Sequence, residues 1–261
     1  MSSITVCLVQ SDIAWENVDE NLRQFEYKIA QQNRPKTIYF LPEMFNTGFS
    51  MQPEKLAERM NGKTVHWMKT IAQQYKIILC GSCIIEENNK YFNRLLWVLP
   101  DGKIAHYDKR HLFGYAQEDK HYTAGERKLM VRVNHWNIQL NVCYDLRFPV
   151  WARQSNDESL RYDLLVFVAS WPQKRMHAWR QLLIARAIEN QAYVIGVNRV
   201  GKDGNDIEYS GNSLLIDPLG AIIWELEGEE GIGTFDLQLE TVQNIRNQFP
   251  FLKDGDIFTL I

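Results

Sequence analysis

Several things are scarce in this chain of 261 residues, and each scarcity closes a route. Cysteine occurs four times, too sparsely for a disulfide framework at this length, so the thiols are expected to be free in a reducing compartment. No apolar run reaches the roughly 18 residues that a membrane-spanning helix needs. The opening Met1-Ser2-Ser3-Ile4-Thr5-Val6-Cys7 has no basic region leading into a long apolar stretch, and the expected location is the cytoplasm. An excess of one charge is also missing: 29 Lys and Arg against 32 Asp and Glu leave −3. That balance supplies no basic field for phosphate backbones or anionic lipid, so neither nucleic acid nor membrane is an expected partner. Linkers and low-complexity segments are lacking too, and a single domain over 1–261 is expected. With 45% hydrophobic and 23% charged residues the composition is that of a globular protein able to bury a large core.

What is present is a repeated alternation of strands and helices. Thr5 to Val9 reads as a buried strand, and Asn17 to Ala30 places Leu22, Phe25 and Ile29 at helical spacing. A second strand, Ile38 to Leu41, runs into Pro42-Glu43, and a helix follows over Thr64 to Tyr75 with Val65, Met68 and Ile71 on one side. Three β-rich segments come next: Ile77 to Ile85, Tyr91 to Leu99 and Lys103 to Tyr107. The last two are joined by Pro100-Asp101-Gly102, a hairpin signal. The second half continues with strand Ile138 to Val142, a short helix after Pro149, strand Leu164 to Ala169, helix Met176 to Asn190 and strand Tyr193 to Asn198. It closes with the hairpin Leu214 to Leu226, turning at Asp217-Pro218-Leu219-Gly220, and strand Gly233 to Leu237. Helices between strands require covered sheets, and hairpins require mixed strand directions. The expected fold is therefore α/β with mixed sheets, a four-layer α-β-β-α sandwich.

Ligands in such folds collect at the carboxyl ends of strands, where loops converge on one crevice. Glu43 and Cys143 both sit at such ends, and Lys109 follows the strand Lys103 to Tyr107. Singly, each has a bland explanation: Cys143 as a small core filler, Glu43 as a loop carboxylate and Lys109 as a surface charge. Jointly they supply what amide cleavage by a thiol requires. A thiolate attacks, and a nearby ammonium, Lys109, lowers the thiol pKa. A carboxylate, Glu43, takes the thiol proton, passes one to the leaving ammonia and later activates water. The oxyanion needs fixed donors, supplied by the Lys109 ammonium and the backbone N–H of Tyr144.

The segments Leu41-Pro42-Glu43-Met44-Phe45, Tyr107-Asp108-Lys109-Arg110-His111-Leu112-Phe113 and Val142-Cys143-Tyr144-Asp145-Leu146-Arg147-Phe148-Pro149 resemble, in order and separation, those of the nitrilase superfamily of carbon-nitrogen hydrolases. Cys-Tyr-Asp-Leu-Arg-Phe-Pro, with Thr47-Gly48-Phe49 after the glutamate, is most similar to the omega-amidase branch. That resemblance implies a nitrilase-type α-β-β-α sandwich and hydrolysis of the amide of a short 2-oxo dicarboxylate, 2-oxoglutaramate or 2-oxosuccinamate, through a Cys thioester. Other branches, acting on carbamoyl amines or deaminated glutathione, and a catalytically silent binding relative are the alternatives. The resemblance also implies a second glutamate between lysine and cysteine, matched by Glu118, no cofactor, a homodimer or higher homo-oligomer, and a part in repairing transaminated glutamine and in methionine salvage. It places Trp171, Phe45 and Phe113 in the pocket lining, although core packing would explain each aromatic equally. A distal carboxylate needs a cation or a set of donors, and Arg147 is a candidate cation; the alternative for Arg147 is a structural ion pair with Asp145.

Competing signals are weaker. Cys80-Gly81-Ser82-Cys83 has redox or zinc-pair spacing, yet lies in an extended run where residues three apart face opposite sides of a sheet. The histidines show no helical spacing suited to metal, and none is expected. His111 or His177 with Cys143 would make a Cys–His pair, but that leaves the Glu43 and Lys109 segments unexplained. The glycine-containing stretches 201–204 and 228–233 read as turns, not nucleotide loops.

Overall fold

Apolar residues at helical spacing and at alternate strand positions decide the layers of this chain. Its computed structural model describes residues 2–155 and 157–258, so positions 1, 156 and 259–261 of the expected domain lie outside the described residues. The first half is β1 (Ser3–Gln10), α1 (Val18–Gln32), β2 (Thr37–Phe40), α2 (Pro53–Leu56), α3 (Lys63–Tyr75), β3 (Ile78–Glu87), β4 (Lys90–Val98) and β5 (Ile104–Asp108), then the single turn α4 (Glu118–His121). The second half is β6 (Leu129–Val133), β7 (Trp136–Val142), α5 (Pro149–Ala152), β8 (Leu164–Val168), α6 (Met176–Asn190), β9 (Tyr193–Val197), β10 (Val200–Lys202), β11 (Glu208–Ile216) and β12 (Ile222–Glu227). The chain then re-enters the first sheet as β13 (Gly231–Gln238), followed by α7 (Leu239–Gln248) and a 3-10 turn over Phe251–Asp254.

Two sheets result, ordered β13-β1-β2-β3-β4-β5 and β10-β11-β9-β8-β7-β6, with β12 beside β11. The strands linked through helices, β1-β2-β3 and β7-β8-β9, pair in parallel. Hairpins such as β3-β4-β5 and β6-β7 pair antiparallel, giving the mixed directions expected. Along β1, Val6 and Leu8 join the core shared with the second sheet, whereas Cys7 and Val9 join the core under α1 and α3. Leu22, Phe25 and Ile29 of α1 and Val65, Met68 and Ile71 of α3 fill that second core. The far side of the second sheet is covered by α6 through Trp179, Leu183 and Ala187. The layers are thus helices, sheet, sheet and helix.

The same parity separates two thiols: Cys80 faces the inter-sheet core and Cys83 the helix-side core, so they share no site. Sequence pattern missed β6, β10, α2, α4 and α7. Strand β6 is a short edge strand carrying Arg132, joined to β7 by a tight turn with Asn134 in the left-handed region, and its apolar alternation is weak. Helix α7 buries only Leu239, Val242 and Ile245 in a polar segment. Both are fixed by pairing or docking rather than by local preference.

Close backbone contact seats the end of β5. The Gly125 N–H donates to the Lys109 carbonyl at 2.9 Å, and a Cβ on Gly125 would lie 2.0 Å from the Asp108 carbonyl oxygen. Because that obstacle is backbone, Gly125→Ala is expected to cost about 2–4 kcal/mol in urea unfolding, more than an ordinary surface substitution.

Candidate active site

Four side chains expected to act together do converge, each delivered by the end of a strand or a turn beside it. After β2, Leu41-Pro42 leads to Glu43. Met44 then takes a left-handed conformation, with its N–H donating to the Ser82 hydroxyl at 2.9 Å. This reversal sends Glu43 toward the second sheet. There its Oε2 accepts the Ser170 N–H at 2.8 Å and its backbone N–H reaches the Ala169 carbonyl at 3.4 Å. Lys109 leaves β5 with its N–H on the Asn93 carbonyl at 3.0 Å. Its Nζ donates to Glu43 Oε1 at 2.8 Å and to Glu118 Oε2 at 2.9 Å and Oε1 at 3.1 Å. Glu118 opens α4 and accepts the Phe113 N–H at 2.6 Å.

Cys143 follows β7 as the first residue of a 3-10 turn over Cys143–Arg147, at φ +45°. A non-glycine residue in that left-handed region is held by its surroundings. The holder is Asp145, fully buried, whose carboxylate accepts the Val142 N–H at 2.9 Å, the His111 N–H at 3.0 Å and the Tyr107 hydroxyl at 2.7 Å. The Cys143 thiol lies beside the Glu43 carboxylate, close enough for the carboxylate to act on its proton. The Tyr144 N–H, in the first turn of that helix, has no acceptor within it.

Asn93 was not legible as a site residue, yet it touches three of the four groups. Its Nδ2 donates to Glu43 Oε1 at 2.8 Å and Glu118 Oε1 at 3.3 Å, and its carbonyl holds Lys109. Ser170, on Glu43 Oε2, is another omission. Both lie in apolar strands or at their ends, where only the register of the folded sheets separates a site residue from a core polar residue.

Glu43 and Glu118 are completely buried, Lys109 is 1% exposed and Cys143 8%. Burial pulls the Lys109 pKa down, but the Glu118 and Glu43 carboxylates overcome this and hold it above the ordinary lysine range, so the ammonium persists. Burial pushes the Glu118 carboxyl up, against the pull of Lys109. For Cys143 the balance corrects the sequence expectation. Burial and the Glu43 carboxylate raise the thiol well above its usual range, and Lys109 only partly offsets them. The resting sulfur is a neutral thiol with its proton acceptor beside it.

Cys143 and Lys109 open onto a cavity of about 360 Å³, also lined by Phe113, Tyr144, Arg147 and Trp171 as expected. Phe45 is a correction: it packs edge-on against Phe25, 5.5 Å between centroids, and against Trp67 in the helix-side core. The Met44 reversal that points Glu43 inward sends Phe45 the other way. The Asp145–Arg147 ion pair is also absent, because Asp145 is filled by other donors and Arg147 lies 5.0 Å over the Trp171 ring. His111 Nδ1 is on Asp145 at 2.8 Å, so it does not serve as a partner for Cys143. Such an arrangement can add a thiol to a carbonyl carbon, move its proton to a carboxylate and hold an oxyanion between an ammonium and a backbone N–H.

Comparison with known proteins agrees with this chemistry. The carbon-nitrogen hydrolase family profile matches residues 5–247. The chain is similar to omega-amidase YafV of Yersinia enterocolitica, 41% identical over the full length of both, and to 2-oxoglutaramate amidase of Bacillus subtilis, 31% identical over 96% of each. Among solved structures, a carbon-nitrogen hydrolase superfamily protein of Xanthomonas campestris, carrying an arsenic adduct in its active site, is 40% identical and covers all of both chains with a TM-score of 0.97.

The raised thiol pKa has a direct readout. Iodoacetamide labelling of Cys143, followed by peptide mass spectrometry, is expected to show no inflection at the ordinary thiol value of about 8.5, with the thiolate growing in only at higher pH. Glu43→Gln is expected to shift the onset of labelling to lower pH, since the carboxylate that helps hold the thiol protonated loses its charge. A sharp rise centred near 8.5 in the native protein would contradict the electrostatics described.

Proposed function

This chain belongs to the carbon-nitrogen hydrolase family, and from that premise we propose that it is an omega-amidase, releasing ammonia from the terminal amide of 2-oxoglutaramate or 2-oxosuccinamate. The observation that carries the reading is a buried thiol beside a carboxylate that also holds a buried ammonium, on the wall of a cavity whose guanidiniums have no acidic partner among the described residues. The named relatives, omega-amidase YafV and 2-oxoglutaramate amidase, support the substrate class.

In the first half-reaction Cys143 Sγ adds to the amide carbonyl carbon as its proton passes to Glu43. Negative charge develops on the carbonyl oxygen, toward which the Lys109 ammonium and the Tyr144 N–H supply donors. The C–N bond breaks, Glu43 returns the proton to the departing nitrogen, and ammonia leaves a thioester on Cys143. In the second half a water gives its proton to Glu43 and adds to the thioester carbonyl. Collapse expels the sulfur, which recovers its proton, and the 2-oxo dicarboxylate departs. Glu118 keeps Lys109 charged and in place, with no proton transfer of its own. Because the thiol is neutral at rest, deprotonation accompanies attack and no buried thiolate has to wait for substrate. Arg147, held on Trp171, takes the distal carboxylate.

We further propose a single domain acting as a homodimer in the cytoplasm, disposing of the 2-oxo amides left when glutamine serves as amino donor, methionine salvage included. In support, the inter-sheet core draws on both halves of the chain, and no helix among the described residues is long and apolar enough to cross a membrane. The four cysteines are unpaired, and Ile188, Leu219 and Ile223 leave apolar surface outside the sandwich.

Ammonia release from 2-oxoglutaramate and 2-oxosuccinamate, measured for the native protein beside Cys143→Ala, Cys143→Ser and Glu43→Gln, tests the reading. The native protein is expected to turn over, and each variant to lose at least about 10³-fold in kcat. Activity surviving in Cys143→Ala would remove the nucleophile. Activity on carbamoyl amines or deaminated glutathione alone would move the protein to another branch.

A further inference from the structure

We propose that Arg175 is a specificity-determining residue of this cavity: a second guanidinium that reads the 2-oxo group of the substrate while Arg147 holds the carboxylate. The inference rests on the omega-amidase reading and deepens it. Arg175 lies in the turn leading into α6 and lines the cavity. It is fixed at both ends: its carbonyl accepts the Trp171 indole N–H at 3.0 Å, and its guanidinium lies 4.9 Å over the Phe113 ring. Trp171 is the same ring that carries the Arg147 guanidinium, so two half-buried forks are held on two aromatic rings of one cavity.

Charge decides what they await. Neither arginine has an acidic partner among the described residues, whereas every other ionic group on the cavity wall is already satisfied. The Lys109 ammonium is held by Glu43 and Glu118. Asp203 accepts the Tyr209 hydroxyl at 2.9 Å and the N–H groups of Asn205 and Ile207. A simple carboxylate is filled by one guanidinium through a bidentate pair, which would leave the second fork facing no acceptor. A 2-oxo carboxylate presents a third oxygen beside the first two, within reach of a second fork. Two guanidiniums therefore match a 2-oxo acid better than a dicarboxylate monoamide lacking the oxo group. A hydrogen bond from a charged donor to a carbonyl oxygen is lost completely when the carbonyl is replaced by CH2, so discrimination between the two substrates is the quantity that Arg175 controls.

The test compares 2-oxoglutaramate with glutaramate, which has the same chain and carboxylate but CH2 at the 2-position, in the native protein, Arg175→Met, Arg175→Lys and Arg147→Met. In Arg175→Met kcat/KM for 2-oxoglutaramate is expected to fall about 10- to 100-fold while that for glutaramate stays within about threefold, so the preference collapses. Arg175→Lys should retain part of the preference. Arg147→Met should lower both substrates together, because both carry the carboxylate. Glutaramate turnover reports that the Arg175→Met protein is folded and its catalytic groups intact. Equal loss on both substrates in Arg175→Met, or an unchanged ratio, overturns the proposal. A native protein inactive on both substrates would instead overturn the omega-amidase reading.

Discussion

One ammonium, buried between two carboxylates, is the constraint around which this protein is arranged. Lys109 Nζ lies 2.8 Å from Glu43 and 2.9 Å from Glu118, and none of the three side chains is exposed. Removing each ion from water costs several kcal/mol even after relaxation, and each contact returns about 6 kcal/mol at an effective dielectric of 20. Those magnitudes roughly cancel. The cluster therefore contributes little net stability, while loss of one member strands the others. Its justification is chemical: it keeps a positive charge and a proton acceptor at fixed places in a dry site.

Holding that cluster requires the two sheets to be locked in register. Glu43 comes from the first sheet, yet its carboxylate and N–H are held by Ser170 and Ala169 after β8 of the second. Asp145 makes the reciprocal link, anchoring the Cys143 turn to Tyr107 and His111 of the first half. Each hydrogen bond replaces one made to water and is individually modest, but a buried donor or acceptor left without its partner carries the full desolvation penalty. Sliding one sheet over the other would break both sets together. The left-handed backbone of Cys143 is sustained by this mutual dependence.

The same burial sets the state of the nucleophile. A thiol surrounded by apolar groups and one carboxylate stays protonated despite a neighbouring ammonium, so the site stores its reactivity as geometry rather than as a standing thiolate. Substrate binding brings an electrophilic carbon to a sulfur whose proton acceptor is already beside it. The aromatic lining has a matching role: Trp171 and Phe113 carry guanidiniums on their faces, which keeps the cations oriented without neutralising them.

Local pattern determined much of this molecule. The spacing of Leu22, Phe25 and Ile29, the boundaries of α6, the turn at 217–220 and the alternation that parts Cys80 from Cys83 are all written in short stretches of chain, because helix and strand periods act over a few residues. Glu43, Lys109 and Cys143 were legible as well, through contiguous motifs, and Glu118 through the family resemblance. Tertiary structure alone decided the rest. It assigned Phe45 to the core, freed Arg147 from Asp145, added Asn93 and Ser170 to the cluster and set the thiol pKa upward. The physical reason is distance along the polymer: Glu43 meets Asn93 and Ser170 across 50 and 127 positions, and no local preference reports which buried side chains will share a space once two sheets close over them.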